Sequence, residues 1–259
     1  MTTEAFASRR PAALVTGGAQ RIGRAIALAL ARAGYAVAVH ARGSGAEATA
    51  LCAEIAATGG TARCVLADLA DHAAVLRLVS EAAEAVGPLT LLVNNAALFE
   101  PDDIGNLDRV QFDRQFAVNL RAPLFLVQAF AAQAPEGADA SVVNLLDQRV
   151  YKPTPHFLTY GLTKSALHTA TTLLAQALAP RLRVNAVAPG PTLPSPRQDA
   201  AAFARQAQAV PLGRGPSPEE IADAVIFLAQ ARSMTGVTLA VDGGQRLAWR
   251  TPDAVGTEE

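Results

Sequence analysis

Short, continuously apolar runs alternate along this chain with longer stretches whose apolar side chains recur at helical spacing. The runs fall at 12–16, 35–39, 61–66, 89–94, 141–145, 183–187 and 237–241; the helical stretches are 21–33, 46–57, 72–86, 107–134, 157–179 and 218–230. A strand with no polar face must be covered on both sides, and strands joined through helices run parallel. The pattern predicts an α/β fold: a single doubly wound, Rossmann-like domain over 1–259, with a seven-stranded parallel sheet flanked by helices and an ordered core of about 11–250. Ligands of such folds bind beyond the carboxyl ends of the strands. The residues that follow each run are therefore the ones to read for chemistry.

Charge and composition narrow the partners. The 22 Lys+Arg nearly cancel the 23 Asp+Glu, for a net charge of −1, and no basic stripe is present. Phosphate neutralisation dominates nucleic-acid affinity, so a nucleic-acid partner is not expected. The polar first ten residues and the break at Gly17-Gly18 leave no signal-peptide pattern, and the longest uncharged stretch, 165–180, is too short and polar to span a bilayer. A cytoplasmic chain without membrane contact is expected. Cys52 and Cys64 share no ligand spacing with the four histidines, so no metal is expected.

The first strand-to-helix turn reads Thr16-Gly17-Gly18-Ala19-Gln20-Arg21-Ile22-Gly23. Glycines there let the main chain approach a pyrophosphate at the positive end of the next helix. A carboxylate ending the second strand would bind ribose hydroxyls and repel a 2′-phosphate, but this strand continues His40-Ala41-Arg42-Gly43-Ser44, with no acid before Glu47. Arg42 and Ser44 suit a phosphate, and Arg21 can reach the same group, so the pattern favours NADPH/NADP. Arg42 also reads as an ordinary solvated charge. Asp68-Leu69 closes the third strand, Asp68 being either an acceptor for the adenine amino group or a helix cap.

Tyr160 and Lys164 are four residues apart in a helical stretch, on one face. Lysine is scarce here: only Lys152 and Lys164 are lysines, against twenty arginines, and there are three tyrosines. A nearby ammonium favours phenolate, so Lys164 is expected to lower the Tyr160 pKa and fit it for proton transfer at a carbonyl or imine.

Thr16-Gly17-x-x-x-Arg21-x-Gly23, Asn94-Asn95-Ala96, Asn119, Tyr160-x-x-x-Lys164 and Pro189-Gly190 resemble, in order and spacing, the motifs of the short-chain dehydrogenase/reductase family over about 14–245. The resemblance implies that Tyr160 is the proton donor, that Lys164 binds the nicotinamide ribose, that Asn119 supports a proton-relay water, and that Asn95 and Ala96 belong to the cofactor pocket with Gly17, Arg21, Ile22, Gly23, Pro189 and Gly190. It also implies a homotetramer. Two departures are informative: Arg21 replaces the family's glycine, and Asp147 replaces a serine thirteen residues before the tyrosine. Both resemble the pteridine reductase and dihydromonapterin reductase branch, where His40-x-Arg42-x-Ser44 goes with NADPH and Phe99 matches an aromatic that stacks a pterin on nicotinamide. Ala97 departs from that branch, which often has a serine there.

The chemistry agrees with that implication. A pterin offers a flat face to Phe99 and ring N–H groups to Asp147, and reducing its C=N bonds needs hydride plus a proton from Asp147 or Tyr160. Phe99 also reads as a core or lid residue, and Asp147 as a loop cap. Residues 190–211, with Pro191, Pro194 and Pro196, are expected to form the substrate-side loop; Arg149 or Arg197 would meet a substrate's polar edge or remain solvated. The alternatives are a carbonyl or 3-oxoacyl reductase and a non-catalytic dinucleotide-binding sensor.

Overall fold

A computed structural model describes residues 10–43 and 45–249 of the chain. Seven strands, β1 (Ala12–Val15), β2 (Ala36–Ala41), β3 (Thr61–Leu66), β4 (Leu89–Asn94), β5 (Ala140–Leu145), β6 (Leu182–Pro189) and β7 (Thr238–Val241), form one sheet in the order β3-β2-β1-β4-β5-β6-β7. Every adjacent pair is parallel. The order reverses direction between β1 and β4, and that switch point opens the crevice that doubly wound sheets use for ligands.

Strand periodicity assigns each side chain to a face. Ala13 and Val15 of β1 pack among α1 (Arg21–Arg32), α2 (Ala46–Ala57) and α8 (Pro218–Gln230). Ala12 and Leu14, one residue out of phase, pack on the other face with α3 (His72–Val86), α5 (Ala122–Gln133) and the end of α6 (Leu158–Leu178). Both faces are covered, which is why the strands carry no polar alternation.

Two expectations need correction. The stretch 107–134 is not one helix: α4 (Arg109–Phe116) passes through a π-helical turn at Ala117–Arg121 before α5 begins. Pro123 has no N–H for the Asn119 carbonyl, its α-helical partner, so the regular ladder cannot continue there. The stretch 190–211 is not a loop throughout. It contains α7 (Ala200–Gln208), capped by Asp199, whose side chain accepts from Ala202 N at 2.6 Å.

Candidate active site

A cleft of about 700 Å³ opens beyond the carboxyl ends of the strands. Of the residues expected at a cofactor, Gly17, Arg21, Ile22, Gly23, Asn95, Ala96, Pro189 and Gly190 line it, and so do Phe99, Asp147, Tyr160 and Lys164. His40, Arg42, Asp68, Leu69 and Asn119 do not. Ser44 lies outside the described residues.

The glycine-rich turn is fixed by backbone requirements. Gly17 has φ +60°, and a Cβ on Gly23 would overlap the Gly17 carbonyl oxygen and press on Asn95 Nδ2 at 2.6 Å. Asn95 ties the turn to β4: Nδ2 donates to the carbonyls of Thr16 and Gly17 at 2.8 and 3.0 Å, while its own backbone N–H and that of Ala96 donate to Thr16 Oγ1 at 3.0 Å. Arg21 holds φ +53°, the left-handed conformation a glycine would take without strain, and its Nη2 donates to the Leu193 carbonyl at 3.3 Å. Gln20, the N-cap of α1, makes no capping bond to the helix, its side chain donating instead to Glu47 Oε1 at 3.1 Å, and the first turn holds no acid, so no side chain of the cap takes up the N–H groups at the start of the helix.

His40 supports this turn from beneath. Its Nδ1 accepts from Gly17 N at 3.0 Å and its Nε2 bonds the Ala67 carbonyl at 3.0 Å, so neither ring nitrogen is left for a phosphate. Burial lowers its pKa, and it remains neutral, as an acceptor at Nδ1 must. Arg42 stands exposed just past β2. Asp68 accepts from Ala70 N at 2.9 Å and faces Arg114 at 3.6 Å; the cap of α3 is Asp71 instead. The Leu69 side chain belongs to the core.

Tyr160 and Lys164 project from the first turns of α6, both almost fully buried. Asp102 sets where α6 starts: its carbonyl accepts from Phe157 N at 2.8 Å and its carboxylate from Thr159 N at 3.1 Å. Lys164 Nζ donates to the Leu145 carbonyl at 2.6 Å, and burial lowers its pKa to about 8. The Tyr160 hydroxyl donates to Asp147 Oδ2 at 3.2 Å. The expected lowering of the Tyr160 pKa does not occur: burial, then the Asp147 carboxylate, hold it well above the ordinary value. Desolvation and a like charge both oppose phenolate, so this hydroxyl keeps its proton and acts as a donor.

Asp147 caps the turn Gln148–Val150 through Oδ1, which accepts from Arg149 N at 2.9 Å. The loop-cap reading of this residue therefore holds on Oδ1, while Oδ2 is the oxygen that receives the Tyr160 hydroxyl. Asn119 spends its side chain inside the protein: Oδ1 accepts from Leu98 N at 2.8 Å, and Nδ2 donates to Leu98 O and Thr163 Oγ1 at 2.9 and 3.1 Å. Any water it supports must use its carbonyl, the group that Pro123 cannot bond. The spacing Asn119-x-x-x-Pro123 was the sequence signal for that.

The opposite wall is aromatic. Phe99 stacks on Phe157 with centroids 4.2 Å apart and 9° between planes, and meets Tyr160 edge-on at 4.7 Å. Arg197 reaches across from the segment after β6, donating to Glu100 Oε2 at 3.0 Å and to the Phe99 carbonyl. Phe157 and Phe203 of α7 line the cleft and went unread in the sequence. An N-cap aspartate at 199 before an alanine-rich run signals α7; Phe157 has no comparable signal, because its place depends on Asp102. Lys152 donates to the Ala248 carbonyl at 3.1 Å, outside the cleft. Among the described residues no cluster of His, Cys, Asp and Glu suits a metal, and no helix is long and apolar enough to cross a membrane.

Comparison with known proteins agrees with this geometry. The family model described as enoyl-(acyl carrier protein) reductase matches residues 17–246. The crystal structure of FolM alternative dihydrofolate reductase 1 from Brucella canis, complexed with NADP, superposes with a TM-score of 0.91 at 49% identity, covering 94% of this chain and 96% of that one. L-xylulose reductase of Mesocricetus auratus is 37% identical over 92% of this chain and 97% of its own length. The 3-oxoacyl-[acyl-carrier-protein] reductase FabG of Staphylococcus aureus is 34% identical, over 90% of this chain and 96% of its own length. With its parallel sheet, its Asn95-braced glycine turn and its paired Tyr160 and Lys164, the chain belongs to the short-chain dehydrogenase/reductase family of oxidoreductases, in a pteridine-reductase-like branch.

Proposed function

We propose that the chain is one NADP-binding reductase domain that reduces a C=N bond of a pterin-type ring. The observation that carries this is Asp147 Oδ2, a carboxylate in direct contact with the Tyr160 proton donor, beside the Phe99 ring. An ionised carboxylate has no hydrogen bond to give a ketone oxygen, but accepts the N–H groups of a heteroaromatic ring.

The cofactor half fits a dinucleotide. The open N-terminus of α1 offers N–H groups to a pyrophosphate, Arg21 and Arg42 add positive charge for a 2′-phosphate, and Lys164 lies within the cleft to meet the nicotinamide ribose. Bound NADPH supplies the hydride. Phe99 presents an aromatic surface for the ring, Asp147 accepts its N–H donors, and Tyr160 holds a proton at Oη for the ring nitrogen. A homotetramer is carried over from the family resemblance.

The test is NADPH absorbance with dihydromonapterin, dihydrobiopterin and dihydrofolate beside a simple ketone and a 3-oxoacyl thioester. Oxidation with at least one pterin is expected; reduction of the ketone or thioester with no pterin turnover would overturn the reading. Carbonyl reduction is the second reading, favoured by the names of the curated relatives. If it holds in latent form, Asp147→Ser gains ketone activity. The sensor alternative requires that Tyr160→Phe leave NADPH oxidation unchanged; a fall of about a hundredfold or more is expected.

A further inference from the structure

The Asp147 carboxylate already holds a guanidinium. Arg149 Nη1 donates to Oδ2 at 3.1 Å, the oxygen that also receives the Tyr160 hydroxyl. The Arg149 guanidinium carbon is 5.3 Å from the Phe99 centroid and 5.6 Å from that of Phe157. Near-equal distances to two stacked rings put it at the rim of the stack rather than over an outer face. Among the described residues its Nε is buried with no partner, although the side chain lines the cleft. A guanidinium recruited only to brace a carboxylate would use its fork in full. This one leaves a donor unmade, which costs desolvation and makes it easier to displace.

A guanidinium is the open-chain form of the N–C(=N)–N edge of an aminopyrimidine ring. We propose that Arg149 is a specificity-determining residue: it occupies the Asp147 carboxylate at rest, and a substrate enters by replacing the Arg149 donor with N–H donors of its own. The inference rests on the proposed role of Asp147 as acceptor of a ring edge. A ketone has no N–H donor and leaves the Asp147–Arg149 pair closed, so the exchange selects cyclic amidines. It also uncovers a negative charge beside the ring, and an adjacent carboxylate favours the protonated ring nitrogen that reduction requires.

Arg149→Met tests this in the full chain saturated with NADP⁺, with 2,4-diaminopyrimidine as the calorimetric probe. The variant is expected to bind the probe about tenfold more tightly than wild type, since no internal cation competes. For any pterin the wild type reduces, KM falls by a similar factor while kcat stays within about twofold. If Arg149 merely holds Asp147 in place, the variant loses kcat and binds the probe more weakly. Unchanged or weaker probe binding, including no binding to either protein, overturns the inference. Arg149→Lys, which keeps the cation without the planar fork, is expected to fall between and carries the comparison if the methionine variant fails an NADP⁺ titration. Absence of pterin turnover by wild type would sink the functional reading separately, because the probe comparison does not depend on turnover.

Discussion

The glycine-rich wall of the cleft is held by main-chain groups: Asn95 donates to two backbone carbonyls, His40 accepts a backbone N–H, and Gly23 leaves room for a carbonyl oxygen. The facing wall is held by side chains on one another: Tyr160 on Asp147, Arg149 on Asp147, Phe99 on Phe157, Arg197 on Glu100. A wall made of backbone cannot be altered without moving β1, α1 and β4. A wall made of side chains can be rewritten one residue at a time while the sheet stays put. On the proposed function, cofactor binding is therefore tied to stability and substrate choice is not.

The largest expected effect tests that link. In Gly23→Ala the new methyl meets the Gly17 carbonyl oxygen, which cannot move without releasing Asn95. A destabilisation of about 2–3 kcal/mol is expected, with NADP⁺ affinity falling by a comparable factor. Urea unfolding and calorimetry on the same preparation check it. Lost affinity at unchanged stability would break the comparison, because the turn would then yield without disturbing the fold.

The two walls were not equally legible in the sequence. The turn is a contiguous string from Thr16 to Gly23, and even the left-handed backbone of Arg21 follows from its standing where a glycine would serve. The strands were legible for the same local reason, since an apolar run between two helical stretches has few other uses. Tyr160 and Lys164 show themselves by helical spacing, but the direction of the Tyr160 pKa does not, because it depends on burial and on Asp147, brought in from the turn after β5. His40 reads as a phosphate-side residue beside Arg42; only the fold shows that both its nitrogens are used. The break in 107–134 hid in Pro123, a residue that a helix start also accepts.

A second test uses pH where the two walls meet, at Lys164, whose ammonium donates to the Leu145 backbone carbonyl one helical turn from Tyr160. Lys164 has its pKa lowered by burial from 10.5 to about 8, so its ammonium is lost as pH rises through that value. Tyr160 keeps its proton over the same range. The kcat/KM of the free enzyme is expected to be level below pH 8 and to fall about tenfold by pH 9. Stability moves the other way: a buried ammonium is penalised below pH 8, and the penalty is relieved between about 8 and 10.5, where the unfolded chain alone holds the proton. A rate that fell together with stability would assign the alkaline limb to unfolding instead of to Lys164.

The smallest effect belongs to the backbone wall and has the opposite pH sign. His40 has its pKa lowered from 6.5 by burial, so below that value the unfolded chain takes up a proton that the folded chain refuses. Stability is then present above pH 6.5 and declines as pH falls through the window beneath it. Protonation also removes the acceptor for Gly17 N–H, so the glycine turn loosens along with the fold. In His40→Gln, an amide can accept from Gly17 and donate to Ala67 without titrating. Between pH 7.5 and 5.5, wild type is expected to lose about 1 kcal/mol more than the variant in urea unfolding, and its NADP⁺ affinity is expected to weaken in parallel. Equal acid sensitivity in the two proteins would remove His40 from the support of the turn and leave Asn95 to hold that wall alone.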